Sequence, residues 1–243
     1  MRKYALLYGE KMKTNIMPTK NKGLKEIAYQ ELLKKIIYCE YAPGEILNES
    51  KIAEDFNLSR TPVREAVSRL QMDGYVKVLP KKGIRVSDVT LDDALQIFQA
   101  RIEIEPLTLK MAIPYISTEE LLDFKNQFEH SSDIPSSTDL DTKMHLYLID
   151  RCQNLYLIDV MHKVFQDNTR VVIATKQNEA KIHDAKEEHL QILNSLINKD
   201  DPNYCAELMR KHILTCRKAA LNYFTSSNFK YLITKTSHFG NAC

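Results

Sequence analysis

The residues best able to do chemistry begin with two arginines. Arg60 and Arg64 lie four apart in Ser59-Arg60-Thr61-Pro62-Val63-Arg64-Glu65-Ala66. On a helix both project from one side, and a guanidinium can pair bidentately with guanine O6 and N7. Ser59 and Thr61 beside them can reach a phosphate or a base edge, and Lys81 and Lys82 further on can add phosphate or minor-groove contacts. A second group lies in the other half of the chain. Asp141 and His145 are spaced i, i+4 and share one helical face, while His189 and His212 fall in two later segments. Brought together inside a bundle, one carboxylate and three imidazoles would suit a first-row divalent cation. Left apart, they are four ordinary surface or capping residues. Arg101 is the third candidate. An arginine inside a helical bundle needs a partner, either the carboxylate of a bound anion or an internal ion pair with Asp141 or Glu105. Arg170 is a lesser choice of the same kind.

The elements that must position these residues are legible in the apolar pattern. From Leu24 the positions Ile27, Ala28, Leu32, Ile36 and Ile37 follow helical spacing, and Pro43-Gly44 stops that helix. Asn48 can cap a short second helix with Ile52, Ala53 and Phe56 inward. Ser59 is placed to cap a third, with Pro62 in its first turn, where a missing N–H costs nothing. Val63, Ala66, Val67 and Leu70 then bury one face, leaving Arg60, Thr61, Arg64, Ser68 and Arg69 on the other. Gly74 reads as a left-handed cap. Tyr75 to Leu79 and Ile84 to Val86 alternate like two strands around Pro80-Lys81-Lys82-Gly83, which makes a basic hairpin, or wing, after a helix-turn-helix. Beyond Asp88 the pattern is helical, with candidate helices at about 91–113, 117–129, 138–151, 155–178, 180–198 and 202–225. The expected fold is mainly α: an N-terminal winged helix-turn-helix domain followed by a C-terminal all-α helical bundle. The expected divisions are a flexible tail at 1–22, the winged helix at 23–88, a helical effector-binding and dimerisation domain at 89–226, and a second tail at 227–243.

Bulk properties agree with this division. The net charge of +2 is unevenly spread: through Thr90 there are 17 Lys and Arg against 11 Asp and Glu, and beyond it 17 against 21. A basic third joined to an acidic remainder fits a nucleic-acid module attached to a different one. No apolar run approaches the roughly 18 to 20 residues that cross a bilayer, and the apolar start is too short for a signal peptide. The expectation is a cytoplasmic protein with no membrane partner. Cys39, Cys152, Cys205, Cys216 and Cys243 form no C-x-x-C pair, so reduced, mostly structural thiols are expected.

The stretch from Ala42-Pro43-Gly44-Glu45-Ile46-Leu47-Asn48-Glu49 through Ser59-Arg60-Thr61-Pro62-Val63-Arg64-Glu65-Ala66-Val67, with Leu70-Gln71-Met72-Asp73-Gly74-Tyr75-Val76 and Lys82-Gly83-Ile84-Arg85-Val86, resembles the winged helix of the GntR family of transcriptional regulators. That resemblance implies that Arg60 and Arg64 read a double-stranded DNA operator and that Gly83 approaches DNA closely. Family members usually carry arginine where this chain has Ser50, so the operator preference of relatives does not carry over. Arg101-Ile102-Glu103-Ile104-Glu105, Asp141-x-x-x-His145 with Asn154 nine residues on, Glu188-His189 and His212 resemble the FadR-type C-terminal FCD ligand domain. In metal-binding members the positions matching Asp141, His145, His189 and His212 ligate a divalent ion of the Zn, Ni or Mn class. His130, His162, His183 and His238 lie off that motif.

The expected function is a homodimeric regulator, in the usual case a repressor, whose DNA binding follows a small carboxylate effector bound at the metal. Two alternatives remain open at this level. The metal itself could be the signal, or the helical half could be a metalloenzyme carrying a DNA-binding appendage.

Overall fold

The computed structural model describes residues 23–130, 134–175 and 182–225. The two expected tails, 1–22 and 227–243, lie outside the described residues. The chain divides into two compact units, with the boundary between Val89 and Thr90.

In the N-terminal unit the order is α1 (Leu24–Ile37), β1 (Ile46–Leu47), α2 (Glu49–Asp55), α3 (Arg60–Met72), β2 (Val76–Leu79) and β3 (Gly83–Val86). Helix α2 starts where Asn48 Oδ1 accepts the backbone N–H groups of Ser50 and Lys51, two of the donors that a helix start leaves without a partner. Ser59 occupies the N-cap position of α3, but its hydroxyl makes no capping bond. Pro62 in the first turn sets the backbone there instead. Gly74, at φ +84°, ends that helix in the left-handed region that glycine adopts without a Cβ penalty. The core is one cluster: Leu32 and Ile36 of α1, Ile52 of α2, Val63 and Leu70 of α3, and Val76, Ile84 and Val86 of the wing.

The sheet has one more strand than the two expected. Strand β1 pairs antiparallel with β3, Ile46 opposite Arg85 and Leu47 opposite Ile84, giving the order β1-β3-β2. Two residues are too few to show an alternating pattern, which is why β1 is silent in the sequence. Gly83 sits at φ +115°, and a Cβ there would lie 2.6 Å from the Leu47 carbonyl oxygen. The wing glycine is therefore required by the close approach of β1, whatever it does toward DNA.

The C-terminal unit comprises α4 (Leu91–Ala112), α5 (Thr118–His130), α6 (Ile134–Asp150), α7 (Leu155–Ala174), α8 (Ile182–Ile197) and α9 (Pro202–Thr225), with one 3₁₀ turn at Ile113–Tyr115. Thr90 and Asp93 form a capping box at the start of α4, satisfying two backbone donors reciprocally. Helix α6 begins at Ile134 rather than near 138, because Pro135 falls in its first turn and need not break it. Helix α7 stops at Ala174, short of the expected 178, and Thr175 bonds its hydroxyl back to the Val171 carbonyl. The bundle core joins Phe98 and Leu109 of α4, Phe128 of α5, Met144 and Leu148 of α6, Ile192 of α8 and Ile213 of α9.

Candidate metal centre and DNA-reading helix

The apolar side of α3 (Val63, Ala66, Val67, Leu70) is buried, and this turns Ser59, Arg60, Thr61, Arg64 and Ser68 outward, all exposed. Arg69 departs from the expectation for that face. Its guanidinium pairs with Glu26 at 2.7 Å and lies 3.6 Å from the Tyr29 ring centroid, so it ties α3 to α1 rather than presenting a free cation. Arg64 is oriented by a residue that spacing did not reveal. Its Nε donates to Glu49 at the start of α2, 3.1 and 3.2 Å from the two carboxylate oxygens. Lys81 and Lys82 are exposed at the wing turn, and Lys81 takes a positive φ of 62° there.

In the helical unit the four dispersed candidates come together. One donor atom from each of Asp141 and His145 (α6), His189 (α8) and His212 (α9) lies within 4.8 Å of the others. His212 Nε2 is 3.2 Å from both His145 Nε2 and His189 Nε2, and Asp141 Oδ1 is 2.7 Å from His189 Nε2. All three imidazoles are at most 2% exposed. Their outer nitrogens explain the ring orientations. His145 Nδ1 faces Glu105 Oε2 at 2.5 Å and His212 Nδ1 faces Glu188 Oε2 at 2.9 Å, which directs both Nε2 atoms inward. His189 Nδ1 is buried without a hydrogen-bond partner, and its ring packs on Phe128 with centroids 4.8 Å apart.

The electrostatics favour ligand-ready states. Burial, reinforced by the neighbouring His189 and His145, holds His212 well below the ordinary imidazole range, which keeps it neutral. Burial works to raise the Asp141 carboxyl, but the His189 hydrogen bond and the surrounding imidazoles outweigh it and hold the group far down, ionised. The donor set therefore fits a divalent cation. Converging ring nitrogens about 3.2 Å apart match the separation of about 3.3 Å between nitrogens held tetrahedrally at zinc distances of roughly 2.0–2.1 Å. No second such group occurs among the described residues.

Arg101 is 2% exposed and makes the ion pair named as one of its two alternatives: Nε donates to Glu105 Oε1 at 2.6 Å. Nη1 donates to Asn168 Oδ1 at 3.1 Å, and Nη2 is buried without a partner. Glu105 thus bridges Arg101 to His145. Burial pushes the Glu105 carboxyl up, but Arg101 and His145 outweigh it, so Glu105 is held ionised. Arg170 is also buried. The off-motif histidines do other work where they are described: His130 Nδ1 lies 2.8 Å from the Asn126 carbonyl, and His162 pairs with Asp150 at 2.6 Å. Helix α8 carries His183, and His238 lies outside the described residues. Sequence spacing also passed over Cys216. One turn beyond His212 on α9 and half-buried, its Sγ lies 3.6 Å from His212 Nε2.

A winged helix with an arginine-bearing third helix, joined to a helical unit with a His/Asp cluster, defines a helix-turn-helix transcriptional regulator with a C-terminal helical domain. Residues 24–86 match the family model described as bacterial regulatory proteins, gntR family, and residues 96–215 match the FCD domain. The chain belongs to the GntR family and carries an FCD domain. It is 32% identical over 143 residues to the uncharacterized HTH-type transcriptional regulator YdhC of Bacillus subtilis, a match covering 56% of this chain and 64% of that protein. It is 26% identical over 201 residues to the HTH-type transcriptional repressor GlaR of Escherichia coli, covering 77% of this chain and 91% of that one. Among solved structures, E. coli McbR/YncC superposes with a TM-score of 0.70 at 19% identity, over 84% of this chain and all of that chain. A GntR regulator from Rhodococcus sp. RHA1 gives 0.68 at 18% identity, over 82% of this chain and 97% of that one. Both share the fold. The relatives are transcriptional regulators and not enzymes, which sets the metalloenzyme alternative aside. Among the described residues no helix is long and apolar enough to cross a membrane.

Proposed function

We propose that this regulator is a cytoplasmic, homodimeric repressor whose binding to a pseudo-palindromic double-stranded DNA operator is controlled by a small carboxylate effector. Asp141, His145, His189 and His212 would hold one divalent ion of the Zn, Ni or Mn class. Such an ion supplies Lewis acidity toward a carboxylate oxygen. The observation that carries the reading is the convergence of three imidazoles and an ionised carboxylate within 4.8 Å, each inward nitrogen of His145 and His212 being aimed by an acidic partner.

The protein's own groups supply the rest. Arg101, fixed by Glu105 and Asn168, keeps one buried N–H group for an anionic ligand. Ser59, Arg60, Thr61 and Arg64 would face the major groove, with Lys82 and Gly83 at the wing. An effector can shift this protein only by binding its DNA-competent and DNA-incompetent states with different affinity. Repression as the direction of control is supported by the likeness to a relative described as a repressor.

Metal analysis of the purified protein tests the central claim. The wild type should carry about one ion per chain, and a His145→Ala/His212→Ala variant should carry none. Full occupancy in that variant would remove this ligand set. DNA binding that follows free metal and ignores every carboxylate would make the ion itself the signal.

A further inference from the structure

Helix α4 has two apolar sides. One is spent on the bundle, where Phe98, Leu109 and Ala112 are buried. The other is the row Ile97, Ala100, Ile104, Leu107 and Met111, which recurs at alternating intervals of three and four residues. That is the spacing by which one helix packs along another. No member of this row is buried: Leu107 is 47% exposed and the other four are half-buried. A single exposed leucine needs no explanation, but a row of heptad spacing beside a separate buried face does. Helix α7 packs against α4, with Asn168 accepting from Arg101. One and two turns before Asn168, Val164 is half-buried and Val160 is exposed, so the uncovered apolar surface includes a second helix.

We infer that a second copy of this chain covers the row, its α4 running antiparallel to the first about a two-fold axis at the level of Leu107. The inference rests on the homodimer proposed above and names its surface. The charges beside the row select that occupant. Glu103 and Lys110 are seven residues apart and so share one flank of the row. Both are exposed, Glu103 meets only the Gln99 amide, and neither has an ion pair among the described residues. At about 1.5 Å per residue they stand roughly 6 and 4.5 Å from Leu107 along the helix, in opposite directions. A two-fold contact pairs each residue with a fixed one across the axis and makes every such contact twice. With Leu107 against the partner's Leu107, Glu103 of each copy faces the partner's Lys110. Parallel helices would set Glu103 level with Glu103 and Lys110 level with Lys110, two like-charge meetings. A row flanked by opposite charges at matched distances is thus complementary to itself, reversed.

Sedimentation of the full-length protein over a range of concentrations, with charge-swapped variants, tests this surface. The wild type should be a dimer. Glu103→Lys and Lys110→Glu should each weaken it about tenfold or more, because two like-charge pairs replace two opposite ones. The double variant Glu103→Lys/Lys110→Glu should dimerise as the wild type does, and that recovery also shows that the single changes left the fold intact. Leu107→Glu should weaken the dimer about thirtyfold or more, as expected for the central apolar contact of an interface. Leu107→Cys should give a disulfide-linked dimer on mild oxidation, a band on a non-reducing gel that the wild type lacks. A wild-type dimer indifferent to both charge reversals, or a Leu107→Cys protein that does not cross-link, would overturn this surface and leave the homodimer reading standing on another. A wild type that stays monomeric at every concentration would overturn both.

Discussion

Glu105 Oε2 lies 2.5 Å from His145 Nδ1 while its other oxygen accepts from Arg101 Nε at 2.6 Å, so one buried carboxylate orients a buried imidazole and pairs with a buried guanidinium. These three groups are all at most 2% exposed. A buried charge is tolerated when it is paired, and Arg101 meets Glu105 and Asn168 while its Nη2 stays without a partner. The FCD domain therefore uses one side chain both to pair Arg101 and to aim His145 Nε2.

Replacing Glu105 should show both roles. Glu105→Gln leaves the Arg101 charge without its counter-ion, and breaking a buried pair from one side costs roughly 3–5 kcal/mol. Chemical denaturation of the metal-free protein reads that loss. In the fraction that folds, zinc affinity should drop about ten- to a hundredfold, because a ligand imidazole has lost its orienting acceptor. Unchanged stability and unchanged affinity would mean that the bridge from Arg101 to His145 is not formed in solution.

Arg64 and Glu49 lead to a prediction about DNA. The Arg64 guanidinium is 3.1 Å from Glu49 yet remains 71% exposed, so the pair contributes little to folding but fixes where the cation points. With the operator selected from random DNA, Arg64→Ala should cost about 1–3 kcal/mol of specific binding and relax the preference at one position. Lys82→Ala should weaken binding to all sequences alike and lower the salt slope by about 1. Glu49→Ala should leave thermal stability unchanged and broaden the selected sequence, since Arg64 loses its orientation. An unaltered selection profile in Glu49→Ala would show that Glu49 does not guide the contact.

How much of this was legible beforehand depends on whether the information is local. Asn48 as a cap, Gly74 as a helix stop and the inward stripe of α3 follow from residue type and spacing, and each is in place. The ion pair of Arg101 with Glu105 was one of two stated alternatives because i, i+4 groups meet on any helix. Glu49 was not foreseen as the partner of Arg64, because that contact is set by how α2 crosses α3 and not by spacing. Arg69 is drawn off the exposed face for the same reason: Tyr29 and Glu26 of α1, distant in sequence, claim it.

Gly83 offers a test that separates wing geometry from DNA contact. At φ +115°, with the Leu47 carbonyl oxygen 2.6 Å from where a Cβ would stand, any side chain must push β1 away from β3. Gly83→Ala should lower the melting temperature of the DNA-free protein. If the substitution weakened operator binding without touching stability, the glycine would be required by DNA and not by β1.

Removing the metal should weaken the protein in proportion to how well the four ligands hold it. A ligand that binds only the folded state adds about 2.7 kcal/mol of stability at a hundredfold excess over its dissociation constant. Chelation of the wild type should therefore lower its melting temperature, and zinc restored at a hundredfold excess should recover it. His212→Ala removes the nitrogen that faces both other imidazoles, so its melting temperature should respond neither to chelator nor to zinc. Arg64→Ala, altered only on the exposed face of α3, should respond as the wild type does. A melting temperature for the wild type that is indifferent to chelator and to added zinc would mean that the convergence of Asp141, His145, His189 and His212 is a packed polar core and not a metal site.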